Sequence, residues 1–341
     1  MKIAKLYNFN NIKIENAPVP EVGPNEALMK VRASGICSGE AMPWYIEKKA
    51  PLVPGHEPSG EILKTGMSVT GFKPGDRVFV HHHAPCMKCS FCRRGDHVQC
   101  SEWQSSRIIP GGISEYILIP ESNLVNDTLL LPDDVSYEDA VLIEPLACVV
   151  KSLKRSTIKK GDTVLIIGMG VMGIMHLLAA PHFGAGKIIC ADMVKYRLNK
   201  AGAFGADSVI NVIHDTLKEK TLSLTDGQGA DIVIIGPNSI RAMEDGLQCT
   251  APGGTAVFFT PAKPGENLTI DPNYLYFRDM NIVTSYSCGP DDTKKSLELI
   301  KQGIVTANKL VTHRFGIDET DKAYRTVAEA GDSLKVLIQF G

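Results

Sequence analysis

Four cysteines crowd into PCMKCSFCRRGDHVQC, residues 85–100, at spacings of three, three and eight. Short loops can carry the thiolates of Cys86, Cys89, Cys92 and Cys100 to the corners of a tetrahedron around one ion. Zinc suits such a set, and an all-sulfur, four-coordinate site has no position left for water, which marks it as structural. Four thiolates around a dication leave a formal charge of −2. Lys88, Arg93 and Arg94 inside the loop, or backbone N–H groups aimed at the sulfurs, are expected to offset it. A redox pair or free thiols is the competing reading, and four cysteines at closing distance speak against it. His81, His82 and His83 precede the cluster and extend the strand-like run DRVFV. They are expected at an exposed strand end rather than at a second metal. Cys148, Cys190, Cys249 and Cys288 lie singly in apolar sequence, as small core residues do. An odd total of nine argues against a disulfide ladder and for a reducing compartment.

Three other segments carry potential metal donors: GICSGE at 35–40, PGHEPSGEI at 54–62 and IEPLAC at 143–148. Cys37, His56 and Glu144 offer one sulfur, one nitrogen and one oxygen, the kind of set that leaves a fourth zinc position open for water or substrate. Each also has an ordinary reading: core filler, turn residue, first-turn helix acid. Spacing alone does not assemble ligands so far apart.

The third chemical signal is a dinucleotide fingerprint. Gly168, Gly170 and Gly173 follow the apolar run TVLII directly and, with Val171 and Met172 between them, open a helix-like stretch. The first glycine permits a tight turn, the second lets a pyrophosphate approach the backbone, and the third allows close helix packing, with the helix N-terminus facing the phosphates. Asp192 ends the next strand, 19 residues after Gly173. A carboxylate there accepts from ribose hydroxyls and repels a 2′-phosphate, so NAD is expected over NADP. Lys195 and Arg197 temper that preference. A glycine-rich turn without a ligand is the alternative.

Elements must position these groups. Residues 1 to about 148 alternate short β-rich runs (EALMKVRASG, SGEIL, DRVFV, ISEYILIP) with Pro and Gly, the rhythm of a largely β domain. From about residue 150, TVLIIG, KIICAD, SVINV, DIVIIG and TAVFFT alternate with helix-like runs, predicting an α/β, doubly wound parallel sheet. DDTKKSLELIKQG reads as an amphipathic helix, HRFGI and SLKVLIQF as strands that return to the first domain. A chain of 341 residues suits two domains. A net charge of −2 with no basic block speaks against nucleic acid or an anionic membrane as partner. VLIIGMGVMGIMHLLAA is too short and glycine-broken for a membrane span. No signal-peptide pattern opens the sequence, so a cytoplasmic protein is expected.

The succession of GIC, GHE with a glycine-rich strand after it, the four-cysteine lobe, EPLA and GxGxxG resembles the zinc-dependent medium-chain dehydrogenases across essentially the whole chain. EPLA in place of a later cysteine resembles their polyol (sorbitol) and threonine dehydrogenase branch. The resemblance implies a mainly β, GroES-like catalytic domain over 1–148 with its zinc lobe near 85–101. It further implies a Rossmann NAD domain over 149–288, and a return to the catalytic domain over 289–341. Two zincs per subunit follow, one structural and one catalytic, with Cys37 and His56 gripping the catalytic ion. Glu57 is similar to the family's mobile carboxylate, Glu144 is the other candidate, and Glu40 orients His56. Zinc acting as a Lewis acid on a secondary alcohol and hydride transfer to the nicotinamide are the implied chemistry. The implied substrate is a polyol, sugar or amino alcohol, the assembly a homodimer or homotetramer, with DMNIVTSYS (279–287) as a candidate pairing edge. One departure stands out: Gly39 and Met42 occupy positions where the family commonly has a hydroxyl and an imidazole for proton relay. Ser38, Glu57 or Glu144 must then substitute, or the substrate is a specialised cyclitol or hydroxy-acyl compound. A zinc-stabilised binding protein without catalysis is the remaining alternative, disfavoured by the balanced charge.

Overall fold

The computed structural model describes all 341 residues, in two compact units: Met1–Ala147 with Cys288–Gly341, and Cys148–Ser287.

The first unit is built on a seven-stranded sheet. Its spatial order is Val311–Gly316, Lys335–Gln339, Ala27–Ile36, Glu57–Thr65, Arg77–Val80 and Thr128–Leu130, with Tyr116–Ile119 pairing separately to Ala27–Ile36. Ala27–Ile36 is buried at every position except the half-buried Lys30 and Arg32, which makes it the spine of the sheet. Ala27, Met29, Val31, Ile62, Val78, Val80, Ile117 and Ile119 pack into one core, each large aliphatic contributing about 1.5–3 kcal/mol by leaving water. The antiparallel register sets Glu57 opposite Gly35. A side chain at Gly35 would overlap the Glu57 carboxylate and the end of Lys335. Glycine is therefore required there so that an acid can enter the core from the facing strand.

The second unit holds six parallel strands in the order Ser208–Asn211, Lys187–Asp192, Thr163–Ile167, Ala230–Ile235, Thr250–Phe258 and Asn281–Thr284. In chain order this is 3-2-1-4-5-6, the doubly wound nucleotide-binding topology, whose switch point lies between Thr163–Ile167 and Ala230–Ile235. Leu165, Ile167, Ile189, Ala191, Val233 and Ile235 form its core with Met243 and Leu247 from a covering helix. Near-continuous Val/Ile runs are what a sheet covered on both faces needs. The long apolar run of this unit divides into the strand Thr163–Ile167 and the helix Val171–Ala179. No helix is long and apolar enough to cross a membrane. Asn281–Thr284 is an edge strand, flanked by exposed Tyr276, Phe277 and Tyr286.

Candidate active site and metal centres

Cys37 follows the spine strand, His56 precedes the strand Glu57–Thr65, and Glu57 opens it. Donor atoms of all three lie within 4.8 Å of one another. The Gly39 N–H points at Cys37 Sγ, 3.4 Å away. His56 Nδ1 meets Glu40 Oε1 at 3.0 Å. The Gly55 N–H donates to the same oxygen at 3.0 Å, and the Tyr324 hydroxyl donates to Glu40 Oε2 at 2.9 Å. Both oxygens of Glu40 are thereby fixed, and His56 keeps Nε2 for a metal. Tyr324 is a fully buried residue of the helix Thr320–Glu329.

The electrostatics follow from burial. Burial alone would discharge His56, but Glu40 and the Cys37 sulfur outweigh it and hold the imidazole pKa well above its ordinary value. Glu40 is lowered: burial opposes its charge, and His56, the Gly55 N–H and Tyr324 overcome that. Glu57 is raised, chiefly by burial and further by Glu144, although Lys335 and His56 pull the other way. Lys335, 1% exposed, forms an ion pair with Glu57 Oε2 and donates to the Ile36 carbonyl at 3.2 Å. Glu57 Oε1 is buried without a hydrogen-bond partner. A sulfur, an imidazole nitrogen and an orphaned buried carboxylate oxygen fit a zinc ion with an open position. Tyr324 and Lys335 carry no motif and escape the sequence reading.

Glu144, in the first turn of the helix Ile143–Arg155, groups with His81 and His82 rather than with Cys37 and His56. Ser38 is exposed beside Cys37. The expectation that His81–His83 occupy an exposed strand end is wrong. His81 is fully buried and His83 nearly so. His81 Nδ1 meets Asp127 Oδ2 at 2.6 Å, and His83 stacks on Trp103 with ring centroids 4.2 Å apart. Burial, then neighbouring Arg107, pushes the His83 pKa down to about 3.

In the lobe, Cys86, Cys89, Cys92 and Cys100 place their sulfurs within 4.8 Å of one another, and all are free thiols. The Cys92 N–H points at Cys89 Sγ (3.5 Å) and the Cys86 N–H at Cys100 Sγ (3.4 Å). Backbone N–H groups of Lys88 and Cys89 lower the Cys86 pKa to about 6, while burial raises Cys92 to about 12. Two of the lobe's cations are occupied elsewhere: Arg93 donates to the Lys88 carbonyl and Arg94 pairs with Asp96. The backbone, more than the side chains, answers the sulfur charge.

In the second unit Gly168 has φ +89°, the left-handed turn that glycine takes freely. A side chain at Gly173 would overlap the Gly168 carbonyl, so that glycine lets the helix Val171–Ala179 press against the loop. A Cβ at Gly170 would meet nothing closer than the Arg197 guanidinium at 3.9 Å, which leaves a cradle that fits a pyrophosphate. Val171 and Met172 form the first turn of that helix. Asp192 does more than the sequence suggests. Its oxygens accept from the N–H groups of Met169 (2.6 Å) and Val194 (2.8 Å), so it also shapes the glycine loop, and each oxygen keeps a lone pair for a ribose hydroxyl. Arg197 Nη1 stands 4.0 Å from Asp192 Oδ2.

Comparison with known proteins accords with this geometry. Residues 23–133 match the alcohol dehydrogenase GroES-like domain and residues 171–302 the zinc-binding dehydrogenase model. Sorbitol dehydrogenase of Bacillus subtilis is 31% identical, over 99% of this chain and 97% of its own length. The chain belongs to the zinc-binding dehydrogenases. The L-threonine 3-dehydrogenase of Rhizobium johnstonii is as similar to this dehydrogenase, 31% identical over 96% of the chain and 94% of the relative. A Sinorhizobium meliloti structure bound to NADP superposes on the dehydrogenase with a TM-score of 0.89, at 25% identity and 99% coverage of both chains. The expected membership in the polyol and threonine branch, and the fold that goes with it, are borne out.

Proposed function

We propose that this zinc-binding dehydrogenase oxidises a secondary alcohol, a polyol, sugar or amino alcohol, to the ketone. Cys37, His56 and Glu57 would hold the catalytic zinc, Cys86, Cys89, Cys92 and Cys100 the structural zinc, and Gly168–Gly173, Asp192 and Arg197 the dinucleotide. The observation that carries the reading is the convergence of Cys37, His56 and a carboxylate oxygen of the buried Glu57 within 4.8 Å, backed by Glu40. When bound, zinc supplies Lewis acidity toward the substrate hydroxyl and the dinucleotide supplies a hydride acceptor. The chain's own part is orientation and proton handling. Tyr324 and the Gly55 N–H pin Glu40, Glu40 fixes the His56 ring, and Lys335 holds Glu57 through its Oε2. With Gly39 and Met42 offering neither hydroxyl nor imidazole, Glu57 takes the hydroxyl proton, through water, when its carboxylate is off the metal, and Ser38 is the next candidate.

NAD is the preferred coenzyme on account of Asp192, and Arg197 sets how strictly NADP is excluded. The polyol and amino-alcohol range rests on the sorbitol and threonine dehydrogenases to which the chain is similar. We further infer a cytoplasmic homodimer or homotetramer, from nine free cysteines and the open edge at Asn281–Thr284. The test is a panel of polyols and amino alcohols with NAD, run on wild type and Cys37→Ser. Coenzyme reduction by wild type, lost in Cys37→Ser with the lobe zinc retained, is expected. No turnover with any alcohol in zinc-replete wild type overturns the reading.

A further inference from the structure

Beside the Cys37 trio lies a second donor set that the reading above leaves unused. His81, His82 and Glu144 bring one donor atom each to within 4.8 Å of one another. Their surroundings have the features of a metal seat. His81 is fully buried, and its Nδ1 is committed to Asp127 Oδ2, 2.6 Å away. Asp127 is an acceptor when ionised, so His81 Nδ1 carries the proton and Nε2 presents a lone pair. Asp127 is itself locked, its Oδ1 accepting from the Thr293 hydroxyl at 2.6 Å. A carboxylate behind an imidazole is the arrangement that fixes ring and tautomer in metal-ligating histidines. His82 Nδ1 is buried without a hydrogen-bond partner. Cys288 Sγ stands 3.7 Å from His81 Nε2, within reach as a soft fourth donor.

Charge points the same way. The buried wall around His56 and His82 holds the carboxylates of Glu40, Glu57, Asp127 and Glu144 as well as the Cys37 sulfur, while Lys335 is its one buried cation and Arg107 is exposed. Buried charge without compensation is costly. The His56 and His82 rings are 4.8 Å apart between centroids, so ions on the two sets would be neighbours, as in centres whose metals lie about 3.5–4 Å apart.

We propose that His81, His82 and Glu144, with Cys288, form a second divalent-metal seat adjoining the Cys37–His56–Glu57 site. Its imidazole and carboxylate donors suit zinc or another late first-row dication. The claim is independent of which alcohol is oxidised, and it shares only the location of the first seat with the proposed function.

The test counts Zn²⁺ bound to the full chain, stripped by a chelator and reloaded against a chromophoric competitor. Wild type is expected to take up three zincs, His82→Ala two and Cys37→Ser two. Should His82→Ala fail to refold, Glu144→Gln serves, with the same loss of one ion expected. Wild type saturating at two zincs, or a folded His82→Ala or Glu144→Gln protein that still binds three, overturns the second seat. Cys37→Ser retaining every ion that wild type binds, with His82→Ala losing one, instead overturns the Cys37 assignment and leaves this seat standing.

Discussion

His176 gives the second unit a pH-dependent stability that can be worked through. It lies on the helix Val171–Ala179, 1% exposed, with its ring edge-on to Phe259 at 4.8 Å between centroids. Nδ1 must be the protonated nitrogen because its partner is the Met172 carbonyl, 2.8 Å away. Nε2 is then the acceptor facing the Ser152 hydroxyl at 2.6 Å. Burial lowers its pKa to about 4, outweighing the opposing pull of the Met172 carbonyl. The unfolded chain, with an ordinary imidazole near 6.5, takes up the proton first. Stability from keeping His176 neutral is therefore full above about pH 6.5 and drains away as pH falls toward about 4. The gap is worth about 3 kcal/mol in total, of which about 2 kcal/mol is lost by pH 5. His176→Gln removes the titration, and the lost bonds cost about 1–3 kcal/mol at pH 8. Hydrogen-exchange mass spectrometry on peptides covering 163–179, corrected for intrinsic rates, reads the local opening energy at pH 8 and pH 5. The wild-type advantage over His176→Gln should shrink by about 2 kcal/mol, roughly thirtyfold in protection, on going to pH 5. A pH-independent difference would refute the assignment of a neutral, desolvated imidazole.

Three further outcomes are expected. Tyr324→Phe leaves Glu40 Oε2 without its donor and loosens His56, so zinc affinity at the Cys37 site should fall about tenfold in chelator competition; an unchanged affinity counts against Tyr324 as a positioning residue. Gly173→Ala forces the glycine loop away from the helix at about 1–3 kcal/mol, and fluorescence titration should show NADH binding weakened at least about tenfold, with zinc content intact. Cys100→Ala empties the lobe, which has only a small core of Val98 and Trp103 around its sulfurs; metal analysis should lose one zinc and limited proteolysis should open within residues 85–101.

What could be read from the sequence depended on how local the signal was. The cysteine lobe and the glycine loop each form within a short stretch, so spacing and the preceding strand sufficed. The doubly wound parallel sheet followed from strand and helix alternating at regular intervals. For the proposed catalytic trio, residue type picked out Cys37 and His56 but only the resemblance brought in Glu57, since these residues lie in different segments that the sheet register brings together. His81–His83 were misplaced because three polar aromatics after a strand look like a solvent edge. What buries them is remote: Asp127 lies 46 residues on, and Thr293 reaches Asp127 across 166. Tyr324 and Lys335 were invisible for the same reason, since a lone Tyr or Lys near a chain end announces no role until the fold sets it beside an acid.

That remoteness bears on biogenesis. Glu40 receives Tyr324 from 284 positions downstream, and Glu57 depends on Lys335. While a ribosome is still translating the nucleotide-binding segment, the upstream half can expose Cys37 and His56 but cannot brace them. On the proposed assignment, firm capture of an ion by that trio awaits release of the finished polypeptide, whereas the four-cysteine loop can fill as it emerges.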